Sequence, residues 1–214
     1  MTSTFRPSDR LMLFSVHLSY FARSVACLVT IPESEYLSLY DFYNATNGVN
    51  WDIEGAPWQF STEVNPCTQN WQGITCMQTN SSYHVVNLTL AECNLVGTLP
   101  VSIAGLAQLQ HIDLHSNELY SHIDALSQLS QLVYIDLHDN ALSGAVPASF
   151  KELSKLLLLD LELNHLTGTL PRFLADLASL EVLDLRGNFL SGPIRDALAN
   201  LTSLRILMLS WNAL

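Results

Sequence analysis

The sequence predicts an α/β solenoid: a superhelix of stacked turns, with a parallel β-sheet lining its concave side and a helical cap at its N-terminal end. Three observations predict it. A pattern of leucines and asparagines recurs at a near-constant period from residue 85 to residue 214. A Gly-containing, Pro-ended segment follows several of the copies. A stretch with helical spacing and a Trp- and Cys-containing loop precedes them all.

Residues 1–31 read as a leader. Arg6 and Arg10 precede an apolar run, Leu11 to Ala22, and Ser24-Val25-Ala26 supplies small residues at the spacing a signal peptidase accepts. Asp9, His17 and Arg23 depart from the usual pattern. The same stretch also reads as an uncleaved signal-anchor over residues 11–31, long enough to cross a bilayer but with Arg23 at a cost inside it. Either reading places the chain in the secretory route, secreted or at the cell surface, with membrane attachment through residues 11–31 in the second.

Residues 32–82 read as the cap that covers the open end of a solenoid. Pro32-Glu33-Ser34-Glu35 starts a helix with acids near its positive end, Tyr36, Leu39, Tyr40 and Tyr43 follow at helical spacing, and Asn47-Gly48 ends it. Trp51, Trp58 and Trp71 come next. Cys67 and Cys76 lie close together in this loop and are the expected disulfide; Cys27 sits at the leader boundary, and Cys93 takes a repeat position as a buried thiol.

Residues 83–214 hold about six repeats of L-x-x-L-x-L-x-x-N-x-L, the last incomplete. The Asn position is filled by Cys93, Asn117, Asn140, Asn164, Asn188 and Asn212, so its spacings are 24, 23, 24, 24 and 24 residues. In each copy the L-x-L core forms a short strand whose alternate side chains point inward. The Asn amide, which both donates and accepts, satisfies backbone groups that no water reaches. A single repeat cannot bury its leucines, whereas a stack makes one continuous core. After the Asn come Leu95-Val96-Gly97-Thr98-Leu99-Pro100, Leu142-Ser143-Gly144-Ala145-Val146-Pro147 and Leu166-Thr167-Gly168-Thr169-Leu170-Pro171. Residues 119–123 lack both Gly and Pro, and in residues 190–195 the Pro moves forward, so local kinks are expected at both. Leu204, Leu207, Leu209 and Leu214 face inward in a turn with no successor, an expectation of a longer solenoid or of self-association through this end.

The L-x-G-x-[ILV]-P segments resemble the plant-type class of leucine-rich repeats, and Pro66-Cys67 with Trp71-Gln72-Gly73-Ile74-Thr75-Cys76 resembles the N-terminal cap motif of plant-type secreted members. The resemblance covers residues 33–214. It implies a second short sheet on one flank and 3₁₀ or short helical turns on the convex side. Architectures of this kind occur in receptor-kinase ectodomains, polygalacturonase-inhibiting proteins and protozoan surface antigens.

With a net charge of −11 and nine Lys and Arg in 214 residues, the chain lacks the cations that nucleic acid or anionic lipid would require. No nucleophile elbow, P-loop or H-E-x-x-H is present, so no enzyme and no cofactor are expected. The outward strand positions form columns across the concave sheet: Asn87, His111, Tyr134, Leu158, Val182, Ile206; then Thr89, Asp113, Asp136, Asp160, Asp184, Met208; then Ala91, His115, His138, Glu162, Arg186, Ser210. The expected ligand site is the middle of this face: His111, Asp113, His115, Tyr134, Asp136, His138, Asp139, Asp160 and Glu162, with Arg186 at its edge. Its carboxylates favour a cationic partner and its histidines make that attraction weaken on acidification. His115, His138, Asp113 and Asp136 could form a metal site or an acid–base pair, but L-D-L is ordinary on a solvated sheet face and no metal is assigned from sequence.

The expected function is therefore a non-catalytic binding module for a protein, peptide or glycan. The alternatives are the ligand-sensing ectodomain fragment of a leucine-rich-repeat receptor kinase and a structural surface antigen. The sequons Asn44, Asn80, Asn87 and Asn200 are glycan acceptors if the chain is secreted.

Overall fold

The computed structural model describes residues 30–61, 64–194 and 201–214, so residues 1–29 of the leader, with Cys27, and also Asn200 lie outside the described residues. Helix α1 spans Glu33–Ala45 with Pro32 at its N-cap. Its inward face is Glu35, Ser38, Leu39 and Phe42, while Tyr36, Tyr40 and Tyr43 are only partly buried. The tyrosines pack edge-on against the aromatic loop, Tyr36 on Phe60 with centroids 5.7 Å apart and Tyr43 on Trp51 at 5.1 Å. Glu35 is not a solvated partner of the helix dipole. It points into the fold, where its carboxylate accepts from Val85 N at 2.8 Å and lies 2.6 Å from His84 Nδ1. Thr30 and Ile31, read from sequence as leader, pack with the cap: Thr30 O accepts from Tyr83 N, and Ile31 lies against the core.

The concave sheet opens with an antiparallel pair, β1 (Ile74–Gln78) and β2 (Tyr83–Thr89). A short strand, β3 (Val96–Gly97), starts a second sheet; β4 (His111–Asp113) then continues the first, followed by β5 (Glu118–Ser121), β6 (Tyr134–Asp136), β7 (Ala141–Gly144), β8 (Leu158–Asp160), β9 (His165–Thr169), β10 (Val182–Asp184), β11 (Phe189–Ser191) and β12 (Ile206–Met208). The sheet orders are β1-β2-β4-β6-β8-β10-β12 and β11-β9-β7-β5-β3. Apart from β1, every pairing is parallel, because each strand meets its equivalent one turn later. The 3₁₀ turns on the convex side, Val101–Gly105, Asp124–Gln128, Ala148–Glu152 and Arg172–Asp176, are those implied by the resemblance.

The second sheet runs through the short repeat without a break. Partners are 22 residues apart at Val96↔Glu118 and Ser143↔His165 but 21 apart at Tyr120↔Ala141, so the missing residue is absorbed as a one-residue change of register. Ser121 takes φ 86°, the conformation that Gly144 and Gly168 adopt at the equivalent place, and so replaces the absent glycine at a steric cost. At Gly97 no such replacement is open: a Cβ there would lie 1.9 Å from Ala45 O, where the end of α1 meets the first turn.

Between the two sheets lies one continuous core. Leu88, Ile112, Ile135, Leu159 and Leu183, stacked in register, are fully buried, each contributing roughly 1.5–3 kcal/mol. The next member, Leu207, is 40% exposed. The Asn column ties successive turns together. Asn164 Oδ1 accepts from Leu142 N at 3.0 Å, and its amide donates to Leu137 O at 2.9 Å and, more weakly, to Leu161 O and Glu162 O. Asn117, Asn140, Asn188 and Asn212 repeat the arrangement. Cys93 stands at the head of the column as a free, buried thiol, and burial foremost, with Asp52 and Glu92 nearby, pushes its pKa up. Cys67 and Cys76 form a disulfide with Cα atoms 5.6 Å apart.

Candidate ligand-binding face

The strand register places two of the outward columns as the repeat spacing requires, and backbone bonds just beyond the strands, such as Ser116 N to His138 O and Asp139 N to Glu162 O, stack the third. Asn87, His111, Tyr134, Leu158, Val182 and Ile206 are successive partners, and so are Thr89, Asp113, Asp136, Asp160, Asp184 and Met208. The first column changes character along the sheet, from His111 and Tyr134, whose rings stack at 5.8 Å, to a rail of aliphatic side chains. The second is acidic at four consecutive strands.

A carboxylate only accepts hydrogen bonds, so each aspartate turns to the donors two residues on. Asp160 Oδ1 accepts from Glu162 N at 3.0 Å, and Asp184 Oδ1 from Arg186 N at 3.0 Å. Asp113 Oδ1 lies 2.6 Å from His115 Nδ1, and Asp136 Oδ1 lies 2.7 Å from His138 Nδ1. Asp136 Oδ2 also accepts from the Tyr134 hydroxyl at 3.0 Å. These bonds draw two members of the column out of solvent: Asp136 is 7% exposed and Asp184 0%. The sequence reading of this column as solvent-facing is corrected there, because the neighbouring Tyr, His and Arg side chains fold over the carboxylates. Tyr134 is correspondingly a partner of Asp136, and burial first, then that carboxylate, raises its pKa.

Two zones result. At β8 and β10 a cation is built in: Arg186 contacts Asp184 Oδ2 at 2.7 Å and Glu162 Oε2 at 2.6 Å. At β4 and β6 the carboxylates face imidazoles, and the His115 and His138 rings stack at 4.4 Å, 9° from parallel. Burial alone would lower the His138 pKa, but the hydrogen bond and charge of Asp136, with Asp160 and Glu162, raise it above the ordinary value. Asp160, between the zones, is pushed up to about 6, chiefly by burial and further by Asp136 and Asp184, against the opposing pull of the Glu162 N–H and His138. The face can therefore offer acceptors to a cationic group beside an apolar rail.

His111, Asp113, His115, Tyr134, Asp136, His138, Asp160, Glu162 and Arg186 are thus brought onto one surface. Asp139 is not on it: it occupies an exposed turn at φ 54° beyond the strand, at the rim. Glu92, at the equivalent turn position two repeats earlier, was not singled out from sequence; its Oε1 lies 3.9 Å from His115 Nε2. The Glu35–His84 pair in the cap was missed as well, and nothing in the spacing of two residues so far apart in sequence signals it. Of the sequons, Asn80 is exposed in the turn between β1 and β2, Asn44 is exposed on α1, and Asn87 lies on the concave face beside His111. No helix among the described residues is long and apolar enough to cross a membrane.

A family model described as leucine rich repeat matches residues 84–142, 131–190 and 159–214. A probable leucine-rich repeat receptor-like protein kinase of Arabidopsis thaliana is 32% identical over 110 residues, 51% of this chain and 10% of that protein. The chain thus spans about a tenth of the length of the curated relatives it matches. The ectodomain of the Arabidopsis thaliana receptor kinase SOBIR1 superposes with a TM-score of 0.69 at 28% identity, covering 86% of this chain and 94% of that one. The Arabidopsis receptor kinase HAESA, solved in complex with the peptide hormone IDA and the co-receptor SERK1, gives 0.73 at 29% identity, over 85% of this chain and 30% of that one.

Proposed function

The chain belongs to the leucine-rich-repeat family, and from that premise we propose that it is a non-catalytic extracellular module that captures a protein or peptide ligand on its concave face. The observation that carries the reading is the pair of adjacent columns, one acidic over four strands and one passing from His111 and Tyr134 to Leu158, Val182 and Ile206. A basic, extended segment with apolar neighbours complements both. Asp113, Asp160 and Glu162 supply the acceptors, His115 and His138 line them, Asp136 acts from below by holding Tyr134 and His138, and Asp139 and Arg186 border the site. The complex of HAESA with a peptide hormone supports a peptide over a glycan.

Secretion or cell-surface placement is supported by the same relatives and fits the Cys67–Cys76 bond; the reading takes residues 11–31 as the cleaved leader or membrane anchor and Asn44, Asn80, Asn87 and Asn200 as glycan acceptors. Exposed Ile206, Leu207 and Trp211 support self-association at the last turn. A second reading, the ectodomain of a receptor kinase, is favoured by the curated relatives; it keeps the same face and adds a signalling partner.

The test is capture of a panel of basic, neutral and acidic peptides, with glycans alongside, by the secreted chain and by Asp113→Asn/Asp160→Asn. These amides keep shape and remove charge. Basic peptides are expected to bind selectively and to lose tenfold or more in the variant, with the melting transition intact. Equal capture by a folded variant moves the site off this face.

A further inference from the structure

Strands β4 and β6 set two Asp–His pairs side by side, and we propose that His115 and His138 form a binding site for one divalent transition-metal ion of the Zn2+ class. In both pairs the carboxylate lies against Nδ1, at 2.6 Å for Asp113–His115 and 2.7 Å for Asp136–His138. An ionised carboxylate cannot donate, so the proton sits on Nδ1 and the lone pair on Nε2. This is the arrangement in which an outer carboxylate orients a ligating imidazole and raises its basicity.

The two rings stack nearly parallel, and neither Nε2 has a hydrogen-bond partner among the described residues. The rings are a quarter to a third exposed, open enough for an ion to enter. One ligating atom from each of His115, His138 and Asp136 lies within 4.8 Å of the others, and the Glu92 carboxylate, on an exposed turn, stands 3.9 Å from His115 Nε2. Two nitrogens at about 2.0–2.1 Å from one ion are roughly 3.3 Å apart, so rings whose centroids lie 4.4 Å apart and 9° from parallel must tilt toward each other until their in-plane lone pairs converge on the ion. Glu92 and water complete the shell.

The neighbouring cluster differs in that it already holds a cation of the chain's own. Asp160, Glu162 and Asp184 also converge, but the Arg186 guanidinium already occupies that position. No Lys or Arg among the described residues pairs with Asp113 or Asp136, so that half keeps negative charge without a fixed cation. Imidazole ligands select Zn2+, Ni2+ or Cu2+ over the oxygen-seeking Mg2+ and Ca2+. The inference does not rest on the peptide reading, since it concerns the ion alone.

Calorimetric titration of the untagged, chelator-stripped chain with ZnCl2 tests it. One ion per chain is expected, with no binding of MgCl2 at the same concentration. His115→Gln and His138→Gln should each weaken zinc tenfold or more, Asp113→Asn should weaken it by about tenfold as a positioning change, and His165→Gln, on the second sheet, should leave it unaltered. On the unmutated chain, zinc should protect His115 and His138 from carbethoxylation, read peptide by peptide. Absence of saturable binding, unchanged affinity in folded variants, or protection confined to other histidines overturns the site.

Discussion

Two columns of short polar side chains run the length of this solenoid, five asparagines inside and four aspartates on the concave face, and they behave in opposite ways. An amide carries donors and acceptors together, so each Asn closes its own bonds within the stack: Asn164 is 2% exposed and makes four bonds to backbone. A carboxylate carries acceptors only, so each Asp must recruit a donor from elsewhere. Asp184 recruits Arg186, Asp136 recruits Tyr134 and His138, and Asp113 has His115. The inner column is self-sufficient and structural. The outer one is left with acceptor capacity and charge, which is what the proposed ligand face has to offer.

Exchanging the chemistry of the inner column should break the comparison most severely. Asn164→Asp keeps the acceptor but turns a buried donor into a charge aimed at three carbonyls. A loss of about 3–5 kcal/mol in urea unfolding is expected; a loss under about 1 kcal/mol would mean that the amide is not what ties the turns. A smaller effect is expected in the outer column at the point where a cation has been recruited. Arg186→Ala strands the buried Asp184 and should lower the melting temperature, and Asp184→Asn on top of it should restore part of the loss. Additive effects in that double-mutant cycle would show that the two side chains are not coupled.

The smallest effect is a proton effect. The folded pKa of Asp160, about 6, lies above its ordinary value of 3.8, and that of His138 lies above 6.5. Both groups therefore favour the fold when protonated: the stabilisation is fully present below the unfolded values and is lost as pH rises through the folded ones. In chelator, the chain should be more stable at pH 5 than at pH 8, by on the order of 1 kcal/mol for Asp160 once solvent screening of a half-exposed group is allowed for. Asp160→Asn should flatten that part of the profile. A difference unaltered by the substitution assigns it to other groups.

The fold was legible because one period, read from leucines and asparagines, dictates strand, turn and neighbour together. The concave columns follow from it directly, down to which residue partners which. Less legible were features in which side chains far apart in sequence meet. Glu35 looked like a helix-start acid and instead pairs with His84 and Val85 N. Strand β1 was hidden inside the Trp71–Cys76 motif, because its pairing to β2 is antiparallel and outside the period. The short repeat looked like a kink, yet Ser121 adopts the glycine conformation and the second sheet continues.

By itself the sequence determined the solenoid, its register, the buried leucine and asparagine columns and the identity of the residues on the concave face, since each is a consequence of a repeat every 23 or 24 residues. Only the tertiary structure decided what those residues are worth. Spacing puts Asp136 and Asp184 on the same face as Asp113 and Asp160, but side-chain packing covers the first two, gives Arg186 to one cluster and leaves a stacked histidine pair in the other. Position in a repeat is a property of the backbone. Burial and charge compensation depend on which side chains fold across from adjacent turns, and no one-dimensional pattern carries that.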